Sequence, residues 1–213
     1  MTTLPFSDAS SNSGWRASVI DYIRQEAQPH DKFGHQPRLY ALACTIGQLE
    51  GLAYDDDIVF AAAWMHDLGV FLGHRPSDPD ALARWDHVPY TIARTRELLA
   101  GWGFPNEKLD AVAQAIATHQ PHQQPVAVEA VLLRDADILE QLGAIGALRA
   151  FVKTGRDTRY QSFTAVLPVL KKALAALPSQ LHLSQSRLLA IARVQALQDF
   201  LAAIDSEAGD LLY

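Results

Sequence analysis

The chain has 213 residues, 49% of them hydrophobic and 20% charged, with a formal net charge of −6, long enough to bury a real core as one large domain or two small ones. The acidic balance argues against a general nucleic-acid binder; a single cysteine, Cys44, excludes an intramolecular disulfide and fits a reducing cytoplasm. The longest apolar run, 58–65, is far too short for a bilayer span, and residues 1–14 lack the basic-then-apolar pattern of a secretory signal, so neither membrane nor export is expected.

Residues 1–13, rich in Ser, Thr and Asp, read as a loose arm, leaving 14–208 as the folded unit. Val19, Ile20 and Ile23 mark an amphipathic helix over 15–27, broken by the stretch from Pro29 to Gly34. A second helix begins near His35 with Pro37 in its first turn, where a missing N–H is harmless. Its stripe is Leu39, Leu42, Ala43, Ile46 and Leu49, and Gly51 closes it. His35, four residues before Leu39, extends that stripe. Asp55, Asp56 and Asp57 open a third helix, where negative charge is favourable. Ile58, Val59, Ala62, Met65 and His66 share its face. A charged, proline-bearing loop covers 69–86.

A fourth helix over 87–102 uses Ile92, Leu98 and Leu99. A fifth, from about Pro105, buries Leu109, Val112, Ala113 and Ile116, with His119 on the same stripe. A sixth runs from Val126 through Asp135-Ala136-Asp137-Ile138-Leu139, and 142–151 continues it beyond a kink expected at Gly143 or Gly146. Helices over 160–177 and 184–208 close the chain. No strand-like alternation and no repeat is evident, so the fold class is all-α, a helical bundle.

The ionisable groups on or beside buried stripes are His35, His66 with Asp67, His87, His119, and Asp135 or Asp137. Each sits near a helix end or kink, and bundles build metal sites by bringing such positions together in the core. Imidazoles and carboxylates form a mixed set suited to a divalent ion such as Mn, Mg, Fe, Co or Zn. Taken singly, each also has a structural reading. A histidine on an apolar face is commonly a hydrogen-bonded core residue, His66 can serve the carbonyls at a helix end, and Asp135 or Asp137 can cap the segment that follows.

The ordered set His35, His66-Asp67, Asp137 resembles the metal tetrad of the HD superfamily of metal-dependent phosphohydrolases. His35-Gln36-Pro37-Arg38 is similar to that family's first-ligand HxxR element, and Ala61-Ala62-Ala63-Trp64-Met65-His66-Asp67-Leu68-Gly69 to its "AALLHDIG" element. The stretch from Asp135 through Gly143 to Gly146 is similar to a "DADRLDALGAIG" signature of small, single-domain bacterial members, and Phe104-Pro105 with Thr118-His119 looks like the same subgroup. The resemblance covers about 15–205. It implies a single helical domain with the metal in its core, held by His35, His66, Asp67 and Asp137, with Asp135 as a neighbour. His87 and His119 fall where members carry extra histidines that reach a second metal, bind a phosphate oxygen or donate a proton, and a role toward substrate or in support of the ligands is favoured for them over a second ion. His30 and Asp31 depart by one residue from a common His-Asp-x-x-His pattern, so no role is carried over to them.

The implied activity is metal-dependent hydrolysis of a phosphomonoester or nucleotide-like phosphate in a small molecule, with Asp67 as the base that orients water. Cations must then face the non-bridging oxygens. Arg38, one turn from His35, and Arg75, in the long loop, are the favoured candidates; Lys153, Arg156 and Arg159 are weaker ones. Two alternatives stand beside this reading: a di-iron oxygenase using His87 and His119 as extra ligands, and a non-catalytic ligand-binding domain. The Leu and Ala content of the last two helices permits a homo-oligomer.

Overall fold

The computed structural model describes residues 14–155 and 160–212, so the expected arm over 1–13, and with it Arg156 and Arg159, lies outside the described residues. Ten α-helices and no strand appear among the described residues. They are α1 Gly14–Glu26, α2 His35–Glu50, α3 Asp56–Met65, α4 Pro79–Ala83, α5 His87–Gly101, α6 Leu109–Ala117, α7 Val128–Glu140, α8 Gly143–Phe151, α9 Leu167–Ala176 and α10 Ser184–Ala208. None of them is long and apolar enough to cross a membrane.

The centre of the bundle is α3, every residue of which from Ile58 to Met65 is buried. A helix apolar on all sides has to be enclosed, and α1, α2, α6 and α7 surround it. Its start is held by charge. The Asp55 carboxylate accepts from the backbone N–H of Asp57 (3.0 Å) and of Ile58 (3.4 Å), as an N-cap does. Arg16 from α1 pairs with Asp56 and Asp57, and Lys108 pairs with Asp55 and Asp57.

α2 and α7 run antiparallel: His35 at the start of α2 faces Glu140 at the end of α7. At the other end, Glu129 near the start of α7 accepts from the backbone N–H of Asp55, just beyond α2 (2.9 Å). Gly51 closes α2 in the left-handed region (φ 67°), as its sequence position predicts.

Several elements differ from the sequence expectation. Leu49 is 52% exposed, so the buried stripe of α2 stops at Ile46 and Gly47. On α5 the buried residues are Thr91, Thr95 and Leu99 rather than Ile92 and Leu98. The Thr91 hydroxyl earns its place by accepting from the Gly69 N–H (3.0 Å). α7 starts at Val128, with Val126 exposed. Between α7 and α8 the chain turns instead of kinking, because Gly143 adopts φ 72°, outside the helical region.

Residues 160–166 are not helical; α9 begins at Leu167 with Pro168 in its first turn. Proline is tolerated there, but it would break a helix entering from Tyr160. The loop 69–86 also contains more order than expected. α4 is capped by Asp78, and His74 ties the loop to Tyr90 of α5 (2.8 Å) and Glu26 of α1 (2.9 Å).

Candidate metal centre

Five helix ends meet at one end of the bundle: the starts of α2 and α5 and the ends of α3, α6 and α7. Three of these are C-terminal, where the partial negative charge of the backbone favours a cation. His35 opens α2, His66 terminates α3, and Asp67 follows it. His87 opens α5, His119 lies just past α6, and Asp137 and Glu140 occupy the last turn of α7.

The imidazoles form a run of edge-on neighbours, with ring centroids 5.2 Å apart for His35 and His66, 5.1 Å for His66 and His119, and 5.6 Å for His87 and His119. Local hydrogen bonds decide which nitrogen of each ring faces inward. His66 Nδ1 lies 3.0 Å from the Ala63 carbonyl, and His119 Nδ1 lies 2.6 Å from that of Ile116. A carbonyl only accepts, so both Nδ1 atoms carry the proton and both Nε2 atoms are lone-pair donors. The same three-residue reach at the end of two helices produces both. His35 Nδ1 is protonated for a similar reason, facing a carboxylate, Glu140 Oε2, at 3.3 Å, and its Nε2 becomes a lone-pair donor once the ring gives up its second proton.

The inward atoms converge. His35 Nε2 is 3.4 Å from Asp137 Oδ1 and 3.8 Å from Asp67 Oδ2, and His66 Nε2 is 3.5 Å from Asp67 Oδ2. His87 Nε2 stands 3.8 Å from Asp67 Oδ1. The other Asp137 oxygen, Oδ2, accepts from Gln141 Nε2 (3.1 Å), which turns Oδ1 toward His35. Two overlapping ligand sets result, His35–His66–Asp137 and His66–Asp67–His119, each with its donor atoms within 4.8 Å of one another.

The Nε2 atoms of His35 and His66 are buried yet make no hydrogen bond, since the nearby carboxylate oxygens are close without being aligned. Buried polar atoms without a partner are costly. Imidazole nitrogens facing ionised carboxylates in a buried pocket fit a bound divalent cation, which takes nitrogen and oxygen donors together and displaces any proton between them.

Charge in the cluster follows from this packing. Burial pushes His66 down to about 4, so it stays neutral and ready to ligate. Burial and Arg149 also act to lower His35, but the flanking Asp137 and Glu140 outweigh them and raise it. Burial acts to raise Asp67, and its four histidine neighbours, led by His66 and His35, hold it far below the usual carboxylate range. Asp137 is depressed in the same way, with His35 as its main partner. Glu140, raised by burial, is brought below its ordinary value by His35 and Arg38.

A profile of the HD domain matches residues 33–142, about half of the chain. The chain belongs to the HD domain family. YpgQ of Bacillus subtilis is 30% identical over 147 residues, a stretch that is 66% of this chain and 64% of YpgQ's own length. The crystal structure of YpgQ in complex with ADP superposes with a TM-score of 0.65 at 22% identity, covering 92% of this HD protein and 99% of that chain. An HD-superfamily hydrolase from Bacillus thuringiensis gives 0.64 at 20% identity, over 90% and 95% of the respective chains. At such identities these structures carry the fold, and the ligand geometry rests on this HD protein's own residues.

Above the cluster opens a cavity of about 570 Å³, within the roughly 300–1,000 Å³ of small-molecule sites. His35, Asp67, His87, His119 and Asp137 all line it, as does Arg38. Arg38, however, directs both Nε (3.2 Å) and Nη2 (3.0 Å) to Glu140 Oε2. Arg75 does not line the cavity, whereas Arg149 does. Lys153 lines it too, together with Asp31, while His30 is exposed at the start of a short 3₁₀ turn.

Asp135 points away from the cluster. Two residues before Asp137 on α7, it accepts from the backbone N–H groups of His182 (3.0 Å) and Leu183 (2.9 Å) and so fixes the entry to α10. Glu140, Gln141 and Arg149 are the site residues that sequence reasoning missed. The available signal was spacing, since Glu140 lies one helical turn beyond Asp137.

Proposed function

We propose that this HD protein is a metal-dependent phosphohydrolase that cleaves a phosphomonoester or nucleotide-like phosphate. One observation carries the reading: His35, His66 and His119 each have Nδ1 tied to an acceptor and so turn Nε2 toward two ionised carboxylates at the floor of a ligand-sized cavity. ADP in the YpgQ structure supports a phosphate-bearing small molecule as the substrate class. His35, His66, Asp67 and Asp137 would hold the ion. Such an ion supplies Lewis acidity, neutralising phosphoryl charge and making water a competent nucleophile near neutral pH.

The chain's own groups do the rest. The histidines around Asp67 favour its ionised form, so its carboxylate accepts a hydrogen bond from the attacking water and aims it. His87, 17% exposed and 3.8 Å from Asp67, lines the cavity beside it and can hold or deliver a proton to the leaving oxygen. The His119 ring is fixed by the Ile116 carbonyl, which orients its Nε2 toward the same space. The buried floor excludes bulk water and strengthens each of these interactions.

The test is turnover. Protein loaded in turn with Mn, Mg, Fe, Co and Zn is offered an aryl phosphate and a panel of nucleotides. Hydrolysis with at least one ion, lost in D67A without loss of fold, is the expected result. No hydrolysis with any combination, or unchanged turnover in D67A, ends the proposal. The feature that favours a second ion is the pair His87 and His119, two further imidazoles beside Asp67. About two irons per chain with a coloured or EPR-active centre would move the reading to an oxygenase.

A further inference from the structure

We infer that Arg149, rather than Arg38 or Arg75, is the cation that grips the non-bridging oxygens of the phosphoryl group in the cavity. The inference rests on the phosphohydrolase reading and deepens it. Asp67, Asp137 and Glu140 put three carboxylates at the floor, which a bound divalent ion and Arg38 do no more than offset, so an anionic phosphoryl group needs a further fixed cation on its own oxygens. Of the three arginines, Arg38 is already committed. Two of its donors end on one oxygen of Glu140, a carboxylate whose side chain is only 3% exposed. Arg75 does not reach the cavity wall.

Arg149 differs from both. Its Nη1 donates to the backbone carbonyl of Glu140 (3.2 Å), the one hydrogen bond it makes among the described residues. The nearest carboxylate oxygens, on Asp137 and Glu140, are 4.0 and 3.9 Å away, beyond hydrogen-bond reach. The guanidinium is therefore anchored through the main chain, with its other donors available beside the ligand Asp137. A planar fork in that position suits two oxygens of one phosphoryl group.

Local chain geometry puts it there. Gly143 turns the chain after α7, and α8 folds back against the end of that helix. At Gly146 a Cβ would stand 2.3 Å from the Gln141 carbonyl oxygen, so only glycine permits this approach. Arg149 lies three residues on, one turn along the same face. The Gly143, Gly146, Arg149 spacing is thus a device for seating a guanidinium over the end of α7.

The experiment compares wild type with R149Q and R149K, all loaded with manganese. Inorganic phosphate binding is measured by calorimetry, metal content by elemental analysis, and kcat and KM with an aryl phosphate. R149Q is expected to keep its metal and fold while binding phosphate roughly 10- to 100-fold more weakly, as loss of charge-assisted hydrogen bonds implies. R149K should recover part of this by charge alone, and it serves as the probe if R149Q does not fold. Wild-type phosphate binding that R149Q and R149K leave unchanged overturns this assignment only. Loss of metal in R149Q overturns it as well, since Arg149 would then act by steadying Asp137. A wild type that neither binds phosphate nor hydrolyses any ester removes the phosphohydrolase reading itself, and this assignment with it.

Discussion

Glu140 offers the sharpest test of how the centre is held. Its carboxylate accepts from Arg38 on one side and faces His35 Nδ1 on the other. The His35 side chain is 5% exposed, so in E140A its Nδ1–H loses its acceptor, with only water from the cavity to replace it. An unsatisfied buried donor costs about 1–3 kcal/mol, and the ring also loses what fixes its tautomer with Nε2 inward. Loss of such an outer partner lowers metal affinity roughly 10- to 100-fold, or about 1.4–2.7 kcal/mol. Arg38 adds little to this, because its side chain is 42% exposed and returns to water when its partner is removed.

E140Q should fall nearer the mild end, since an amide oxygen still accepts from Nδ1. The order expected is therefore wild type, then E140Q, then E140A, read by competition against a chelating dye with circular dichroism as the control for fold. Should E140A bind metal within about twofold of wild type, the tautomer argument is wrong, and the convergence of Nε2 atoms loses its structural cause.

Three further outcomes follow from the same geometry. D135A should lower the melting temperature and keep the metal, because it strips two backbone donors and leaves Arg134, fully buried 3.5 Å away, without its counter-charge; breaking such a pair costs about 3–5 kcal/mol. D137A should do the reverse, and metal loss from D135A would refute the division of labour between the two. Metal uptake should release protons near neutral pH from His35, whose raised pKa leaves it protonated in the metal-free protein, and none from His66, already neutral above about 4. Apparent affinity then rises by up to about tenfold per pH unit until His35 has lost its proton; calorimetry in buffers of differing ionisation enthalpy counts the release, and a value near zero at pH 6.5 contradicts the assignment. G146A should cost about 1–3 kcal/mol, because the added methyl meets the Gln141 carbonyl and α8 must move. Thermal melts against an exposed-site control such as Gly101→Ala, where no atom crowds the added methyl, isolate that effect.

What the sequence by itself determined is local. Periodicity placed the longer helices, though neither α4 nor the start of α9; the acidic run at 55–57 placed the start of α3, and Gly51 the end of α2. Histidines at the close of apolar stripes are legible for a physical reason, since a side chain three residues past a helical carbonyl can only reach back to it, as His66 and His119 do. Asp135 and Asp137 were not separable by such rules. Two residues apart on a helix, they face opposite sides, and only the packing of α7 between the cluster and the α10 entry assigns one to each.

The tertiary structure likewise decided which arginine keeps donors for the cavity. Arg38 has the right spacing from His35, yet Glu140, 102 residues away in the chain, takes its donors. Arg149 gains its place from a turn at Gly143 and a close approach at Gly146. Charges act through distance in space, and a helical sequence reports distance only along its own axis, so contacts between helices had to come from the fold.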